Sequence, residues 1–129
     1  MDEQAEVTSQ SATAPSTTCV VSEEWVDRVA IVSVSGVVDM LTAPALEEAI
    51  RAALGQNPAG LIVDFTEVEF LASAGMGILV ATHDEASPDI SFCVVAEGPA
   101  TSRPLKLVGI TDMIPLYATR NEALAAQSA

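Results

Sequence analysis

The sequence predicts a single α/β domain with a mixed central β-sheet of four to five strands and about four helices. The chain has 129 residues, which suits one domain, and half of them are hydrophobic, which suffices for a compact core. Two neighbouring strand-like segments come first, and helix-like and strand-like segments alternate after them. This order, ββαβαβα(β)α, is typical of an α/β domain with a mixed sheet.

Five segments have the pattern of strands. CVVSEEW (19–25) and VAIVSVSG (29–36) lie on either side of a short turn and predict a hairpin. GLIVDF (60–65) is almost entirely apolar, which is typical of a central strand buried on both faces. ISFCVVAE (90–97) predicts another buried strand, and MIPLYA (113–118) a short edge strand.

Four segments predict helices. In LTAPALEEAIRAALGQNP (41–58), apolar residues follow Leu46 at intervals of four, seven and eight residues. Thr42 is its expected N-cap and Gly55 its expected C-terminal stop. The other predicted helices are Gly75–Ala86, PLKLVG (104–109) and a last helix over 121–127 that is capped by Asn121.

The N-terminal residues 1–17 are rich in Ser, Thr, Ala, Gln and acids, without periodic hydrophobic residues. This composition predicts a disordered tail, followed by one domain over residues 18–129. The acidic start does not resemble a secretory signal, and no apolar run approaches the ~18 residues that span a bilayer. A cytoplasmic location is therefore expected.

The charge of the chain restricts its partners. Eighteen acidic against five basic residues give a net charge of −13, and the basic residues are scattered. Binding to nucleic acid or to an anionic membrane requires clustered Lys and Arg, so neither partner is expected. Solubility alone accounts for an acidic surface, and a basic protein partner is the alternative.

The cysteines give no indication of a metal site. Cys19 and Cys93 lie in apolar, strand-like contexts and are expected to be buried, reduced thiols. No Cys/His cluster has the spacing of a zinc site, and we predict no metal and no cofactor.

The turn FLASAGMG (70–77) raises the question of catalysis, because it places a serine and two glycines between a strand and a helix. A hydrolase elbow needs glycine where Leu71 stands. The only histidine, His83, lies ten residues further along the predicted helix, about 15 Å from Ser73. No GK[ST] follows the glycines, and Val80 stands where a dinucleotide fingerprint needs Gly or Ala. The sequence therefore predicts neither an enzyme nor a nucleotide-binding protein.

The same turn suits a switch for protein binding. Ser73 is placed to cap the helix, whereas Gly75 and Gly77 each cost about 1 kcal/mol of helix propensity. Glycines at this position provide close backbone approach or a bare surface on which a partner docks. A phosphate on Ser73 would be tolerated by the helix N-terminus but would repel such a partner.

Three segments, in this order, resemble the STAS domain of the anti-sigma-factor antagonists. VAIVSVSGVVDMLTAPALEEAI (29–50) resembles the family's strand, G-E-[LV]-D-x-x-[TN] loop and first helix. LIVDFTEVEFLASAGMGIL (61–79) resembles its central strand and D-S-[ST]-G-[LM]-G turn. LKLVGITDMIPLYATRNEAL (105–124) resembles its C-terminal pattern.

The resemblance implies a regulator that binds an anti-sigma factor, often a Ser/Thr kinase of the histidine-kinase-like ATPase fold, and so releases a sigma factor. In this family, serine phosphorylation blocks binding and a phosphatase restores it. The resemblance places the phosphoacceptor at Ser73. It places the partner-binding residues at Asp39, Thr42, Ala72, Ala74, Gly75, Met76 and Gly77.

The chain departs from the family pattern at three positions. Ala72 replaces the usual Asp before the phosphoserine, Ala74 replaces the second Ser/Thr, and Val37 replaces the loop glutamate. An antagonist that always binds, or one controlled through its Ser/Thr-rich tail, fits these replacements equally well. The alternative function is a STAS accessory or scaffold subunit of a stress-sensing assembly or an ABC-type transporter.

Overall fold

Five strands form one mixed sheet whose spatial order follows the chain, β1-β2-β3-β4-β5. The computed structural model describes residues 19–86 and 88–128, so the predicted tail and the boundary at residue 18 lie outside the described residues. β1 pairs with β2 antiparallel, and the other neighbours are parallel. The strands are β1 Cys19–Val26, β2 Val29–Val38, β3 Gly60–Leu71, β4 Ser91–Val95 and β5 Leu116–Tyr117. The predicted hairpin, mixed sheet and short edge strand are confirmed.

Four α-helices connect or follow the parallel strands, as the sequence predicts. They are α1 Ala43–Leu54, α2 Ser73–Ala86, α3 Ser102–Leu107 and α4 Arg120–Ser128, with a 3₁₀ turn at Ile110–Asp112. Gly109, with φ of 84°, separates α3 from this turn in a left-handed conformation that favours glycine.

The sheet has two covered faces of unequal size. Alternate residues of β2, such as Val32 and Val34, join a large apolar cluster with Leu46 of α1 and Leu79 of α2. The intervening Ile31 belongs to a small cluster on the opposite face, which includes Ala123 of α4. The nearly unbroken apolar runs of the central strands follow from this burial on both sides.

β3 is longer than the predicted strand 60–65. It continues to Leu71, and its added part pairs with β2 through two irregularities in the register, after Ser33 and after Gly36. In this added part the side chains of Val68 and Leu71 are buried, whereas their neighbours are mostly exposed. Thr66, Glu67 and Glu69 interrupt the apolar residues of this half-exposed stretch, so the continuous apolar run of the sequence ends at Phe65.

Two predicted helix caps are wrong by one or two residues. α2 begins at Ser73, which makes Ser73 its first helical residue and leaves the capping position to Ala72. α4 begins at Arg120, and its cap is Thr119, whose hydroxyl accepts the N–H of Glu122 at 3.1 Å; Asn121 lies inside the helix. Thr42 does occupy the N-cap position of α1, and Gly55 the C-cap.

Candidate functional site

The predicted site residues meet at the carboxyl ends of β2 and β3. The backbone N–H of Ala72 donates to the carbonyl of Val38 at 2.8 Å, which joins the end of β2 to the start of α2. The N–H groups of Gly75 and Met76 bond to the carbonyl of Ala72 at 3.0 and 3.3 Å and close the first helical turn. The loop 39–42 and the turn 72–77 are therefore neighbours, although 29 residues separate them in the chain.

The side chain of Ser73 is exposed at this turn. Because the helix begins at Ser73, its hydroxyl does not cap the helix, and within the described residues it has no hydrogen-bond partner. The half-buried Ala72 and Ala74 flank it with methyl groups alone. The hydroxyl is consequently accessible for modification.

The two glycines of the turn have different roles. Gly75 is buried, and a Cβ there would lie 2.6 Å from Val38 Cγ1 and 2.7 Å from Leu71 Cδ1. Gly75 thus allows α2 to approach the sheet closely and offers no surface to a partner. Gly77 is exposed and a Cβ there would meet nothing within 4 Å, so it alone leaves bare surface. Met76 is half-buried and packs against the large cluster.

Asp39 and Thr42 hold the loop after β2 in one conformation. Asp39 Oδ1 accepts the N–H groups of Leu41 at 2.9 Å and of Thr42 at 3.1 Å. In return, Thr42 Oγ1 accepts the N–H of Asp39 at 2.9 Å and donates to the carbonyl of Val37 at 2.7 Å. The two side chains therefore order the loop through reciprocal hydrogen bonds.

This loop displays two apolar side chains that the sequence analysis missed. Met40 is 78% exposed and Leu41 is 76% exposed, at the tip that Asp39 and Thr42 hold in place. An ordered loop with exposed large apolar side chains is typical of an interaction site. We name Met40, Leu41, Ser73 and Gly77 the docking surface. The sequence did contain a signal for this exposed pair, because the apolar dipeptide Met40-Leu41 lies in a loop between Asp39 and Thr42.

The described residues contain two thiols and one histidine among their titratable groups. Burial raises the pKa of the Cys19 thiol, and the negative charge of Asp39 raises it further. A hydrogen bond with Thr42 acts in the opposite direction but is outweighed. Cys19 is half-buried and Cys93 buried, and both are free thiols. His83 is half-buried further along α2. Among residues 19–86 and 88–128, no group of three His, Cys, Asp or Glu side chains could hold a metal ion.

Comparison with known proteins gives the family. The model of the STAS domain family matches residues 22–123. The chain belongs to the STAS domain family. The predicted resemblance is confirmed.

Individual relatives agree with this assignment. The chain is 43% identical over 96 residues to the anti-sigma-F factor antagonist RsfB of Mycobacterium tuberculosis, which covers 74% of this chain and 79% of the relative. It is 45% identical to a crystal structure of an anti-sigma factor antagonist from Mycobacterium paratuberculosis. That match has a TM-score of 0.86 and covers 92% of this chain and 100% of the other.

A more distant structure shares the fold. The unphosphorylated anti-sigma factor antagonist SpoIIAA is 20% identical, with a TM-score of 0.67 over 81% of this chain and 93% of that chain. In the described part of the chain, no helix has the length and apolar character needed to cross a membrane.

Proposed function

We propose that this STAS domain is an anti-sigma factor antagonist, a binding protein that captures an anti-sigma factor and thereby releases a sigma factor in the cytoplasm. The observation that carries the proposal is the exposed, ordered docking surface on a chain whose relatives at 43% and 45% identity are named anti-sigma factor antagonists. The partner is an anti-sigma factor, and the family resemblance favours a Ser/Thr kinase of the histidine-kinase-like ATPase fold.

Binding is expected to use shape and apolar contact. Met40 and Leu41 are held apart from the core by the hydrogen bonds of Asp39 and Thr42, so little conformational entropy is lost when a partner covers them. Beside them the bare surface at Gly77 permits close approach of the partner's backbone. Ser73 and Gly77 are four residues apart and therefore lie on the same side of α2.

Phosphorylation of Ser73 would end this contact. A phosphate adds about −1.5 to −2 charges at pH 7 beside the apolar loop, where a partner in contact would have to desolvate it. The fold would tolerate the phosphate, because Ser73 is exposed and stands at the N-terminus of a 14-residue helix. A phosphatase would restore binding. With Ala72 in place of the usual Asp, kinase recognition would rest on other parts of the surface.

The decisive experiment combines the full chain with candidate anti-sigma factors, with and without ATP, and measures complex formation and intact mass. We expect a stable complex without ATP, and with ATP a gain of one phosphate on Ser73 together with loss of the complex. A Ser73→Ala variant should bind normally and resist the effect of ATP. A complex that forms without any phosphorylation would identify an antagonist whose binding is regulated in a way other than phosphorylation of Ser73. Absence of any complex would contradict the proposal and favour the accessory or scaffold role.

Variants of the docking surface test its location. Gly77→Arg and Leu41→Asp should each weaken binding of the anti-sigma factor at least tenfold, because they place a large or charged side chain in the contact. The matched controls are Gly55→Arg, at the far end of α1, and Val26→Asp, at the far end of β1; both sites are exposed. Unchanged affinity of Gly77→Arg and Leu41→Asp would show that the partner docks elsewhere.

A further inference from the structure

In the part of the chain that the structure describes, two basic side chains have no partner. Arg28, Arg51 and Arg120 each donate to an oxygen of the fold. Within residues 19–86 and 88–128, neither Arg103 nor Lys106 takes part in an ion pair or a side-chain hydrogen bond. Both are exposed on α3, three residues apart and hence on one side of the helix. The uncompensated positive charge of a chain with net charge −13 is thus concentrated on α3.

This charge borders an open groove with an apolar wall. The groove has a volume of about 470 Å³ and is lined by Gly98, Pro99, Ser102, Arg103, Lys106 and Leu107, which we name the α3 surface. Leu107 is 76% exposed, whereas Leu105 on the opposite side of α3 is fully buried in the large cluster. Leu105 anchors the helix, so the α3 surface is a fixed feature that combines two positive charges with exposed apolar area.

The segment that precedes Cys19 has the complementary chemistry. Residues 1–18 contain three acids, Asp2, Glu3 and Glu6, followed by the apolar Val7, and they contain no basic residue. Because the rest of the chain is itself strongly acidic, most of its surface repels these acids. On the α3 surface, the positive charges of Arg103 and Lys106 have no partner among the described residues and would attract these acids.

The connectivity brings the segment within reach of the α3 surface. Cys19 pairs with Gly36 near the carboxyl end of β2, and β4 ends at Val95 on that same edge of the sheet, just before Gly98. β1 and β4 are three strand spacings apart, roughly 14 Å. Eighteen residues can span up to about 60 Å, so the segment is long enough to reach the α3 surface.

We propose that the acidic N-terminal segment, residues 1–18, binds the α3 surface of its own domain through Asp2, Glu3 and Glu6 against Arg103 and Lys106. The docking surface lies at the same edge of the sheet, so the bound segment would lie beside the approach of a partner. The contact goes beyond the proposed function and does not depend on it, since it requires no anti-sigma factor.

Charge reversal in the full-length ¹⁵N-labelled chain, followed by amide NMR, tests the contact. Arg103→Glu/Lys106→Glu should shift the resonances of residues 2–7, and Asp2→Lys/Glu3→Lys/Glu6→Lys should shift those of residues 98–108. The combined variant, with both sets reversed, should restore the attraction. Residues 98–101 and 108, which carry no substitution and adjoin none, should then return towards their wild-type positions. At 1 M NaCl the wild-type and variant spectra should agree in residues 2–7, because screening then acts over about 3 Å.

Arg28→Glu is the matched control. Arg28 is an exposed arginine in the hairpin turn at the opposite end of the sheet, and its reversal should leave residues 2–7 unchanged. Unshifted resonances of residues 2–7 in Arg103→Glu/Lys106→Glu, or equal shifts in Arg28→Glu, would overturn the proposal. Unchanged core resonances verify that each variant is folded.

Discussion

The two faces of the sheet are held by different chemistry. The face covered by α1, α2 and α3 is an apolar cluster of Val, Leu, Ile and Phe side chains, into which Leu46, Leu79 and Leu105 project without exposure. The face covered by α4 has a small apolar cluster around Ile31 and Ile62, supplemented by hydrogen bonds. Apolar packing thus fixes the geometry of the docking surface, whereas attachment of α4 depends in addition on charged side chains.

The polar attachment is centred on Arg120 at the start of α4. Its Nε donates to Asp64 Oδ2 at 3.0 Å and its Nη2 donates to Ser33 Oγ at 2.7 Å, while Nη1 pairs with Glu24. Burial acts to lower the pKa of Arg120, but the hydrogen bonds and charges of Asp64 and Glu24 outweigh it and raise the pKa. One guanidinium therefore joins α4 to β1, β2 and β3.

The largest expected effect comes from removing the buried partner of this guanidinium. The side chain of Asp64 is 6% exposed, and its Oδ1 also accepts the N–H of Thr66 at 2.9 Å. Asp64→Ala leaves Arg120 without its buried counter-charge and should lower the free energy of unfolding by about 3 kcal/mol. Urea denaturation at pH 7 measures the change.

An exposed ion pair provides the control for Asp64→Ala. Glu47 lies 3.3 Å from Arg51 on α1, where both side chains are about half exposed, and Glu47→Ala should cost less than about 1 kcal/mol. If both variants cost the same, the ion pair on the α4 face would not be the main attachment of α4.

The apolar face makes the next prediction, on the two glycines of α2. Gly75→Ala places a Cβ within 2.7 Å of Val38 and Leu71, both buried, and should cost about 1–3 kcal/mol as α2 is displaced. Gly77→Ala meets open space and should stabilise by up to about 1 kcal/mol through helix propensity. Thermal and urea denaturation should show that Gly75→Ala lowers the free energy of unfolding and Gly77→Ala raises it. A change of the same sign in both variants would contradict the packing role of Gly75.

These glycines also show how far the sequence predicts the structure. Hydrophobic periodicity predicted the order of elements, because each element must bury a stripe or a face. The loop and turn motifs were identified by their resemblance to the family. The same reasoning treated Gly75 and Gly77 alike, since the contact of Gly75 with Val38 depends on a packing distance between distant segments. The salt bridge between Arg120 and Asp64 was missed for the same reason: the two residues meet only when α4 folds over the sheet.

The last effect concerns the α4 face and arises only at high pH. Cys93 lies in the small cluster, and burial raises the pKa of its thiol to about 11, although the side-chain amide of Gln127, 3.7 Å from Sγ, acts to lower it. Because the folded-state pKa exceeds the usual value of 9.0, this contribution to stability is complete below pH 9 and declines as the pH rises towards 11. The decline is at most about 1.4 kcal/mol per pH unit.

Cys93→Ala separates this titration from the other groups that ionise at high pH. The variant loses some packing at every pH, but the difference in unfolding free energy from wild type should shrink between pH 9 and 11, because only the wild type must keep a buried thiol protonated. Urea denaturation at pH 8, 9, 10 and 10.5 measures that difference. Parallel profiles for the two proteins would mean that the thiol ionises at its unfolded pKa. In that case α4 would not exclude water from Cys93, and the α4 face would be looser than its contacts indicate.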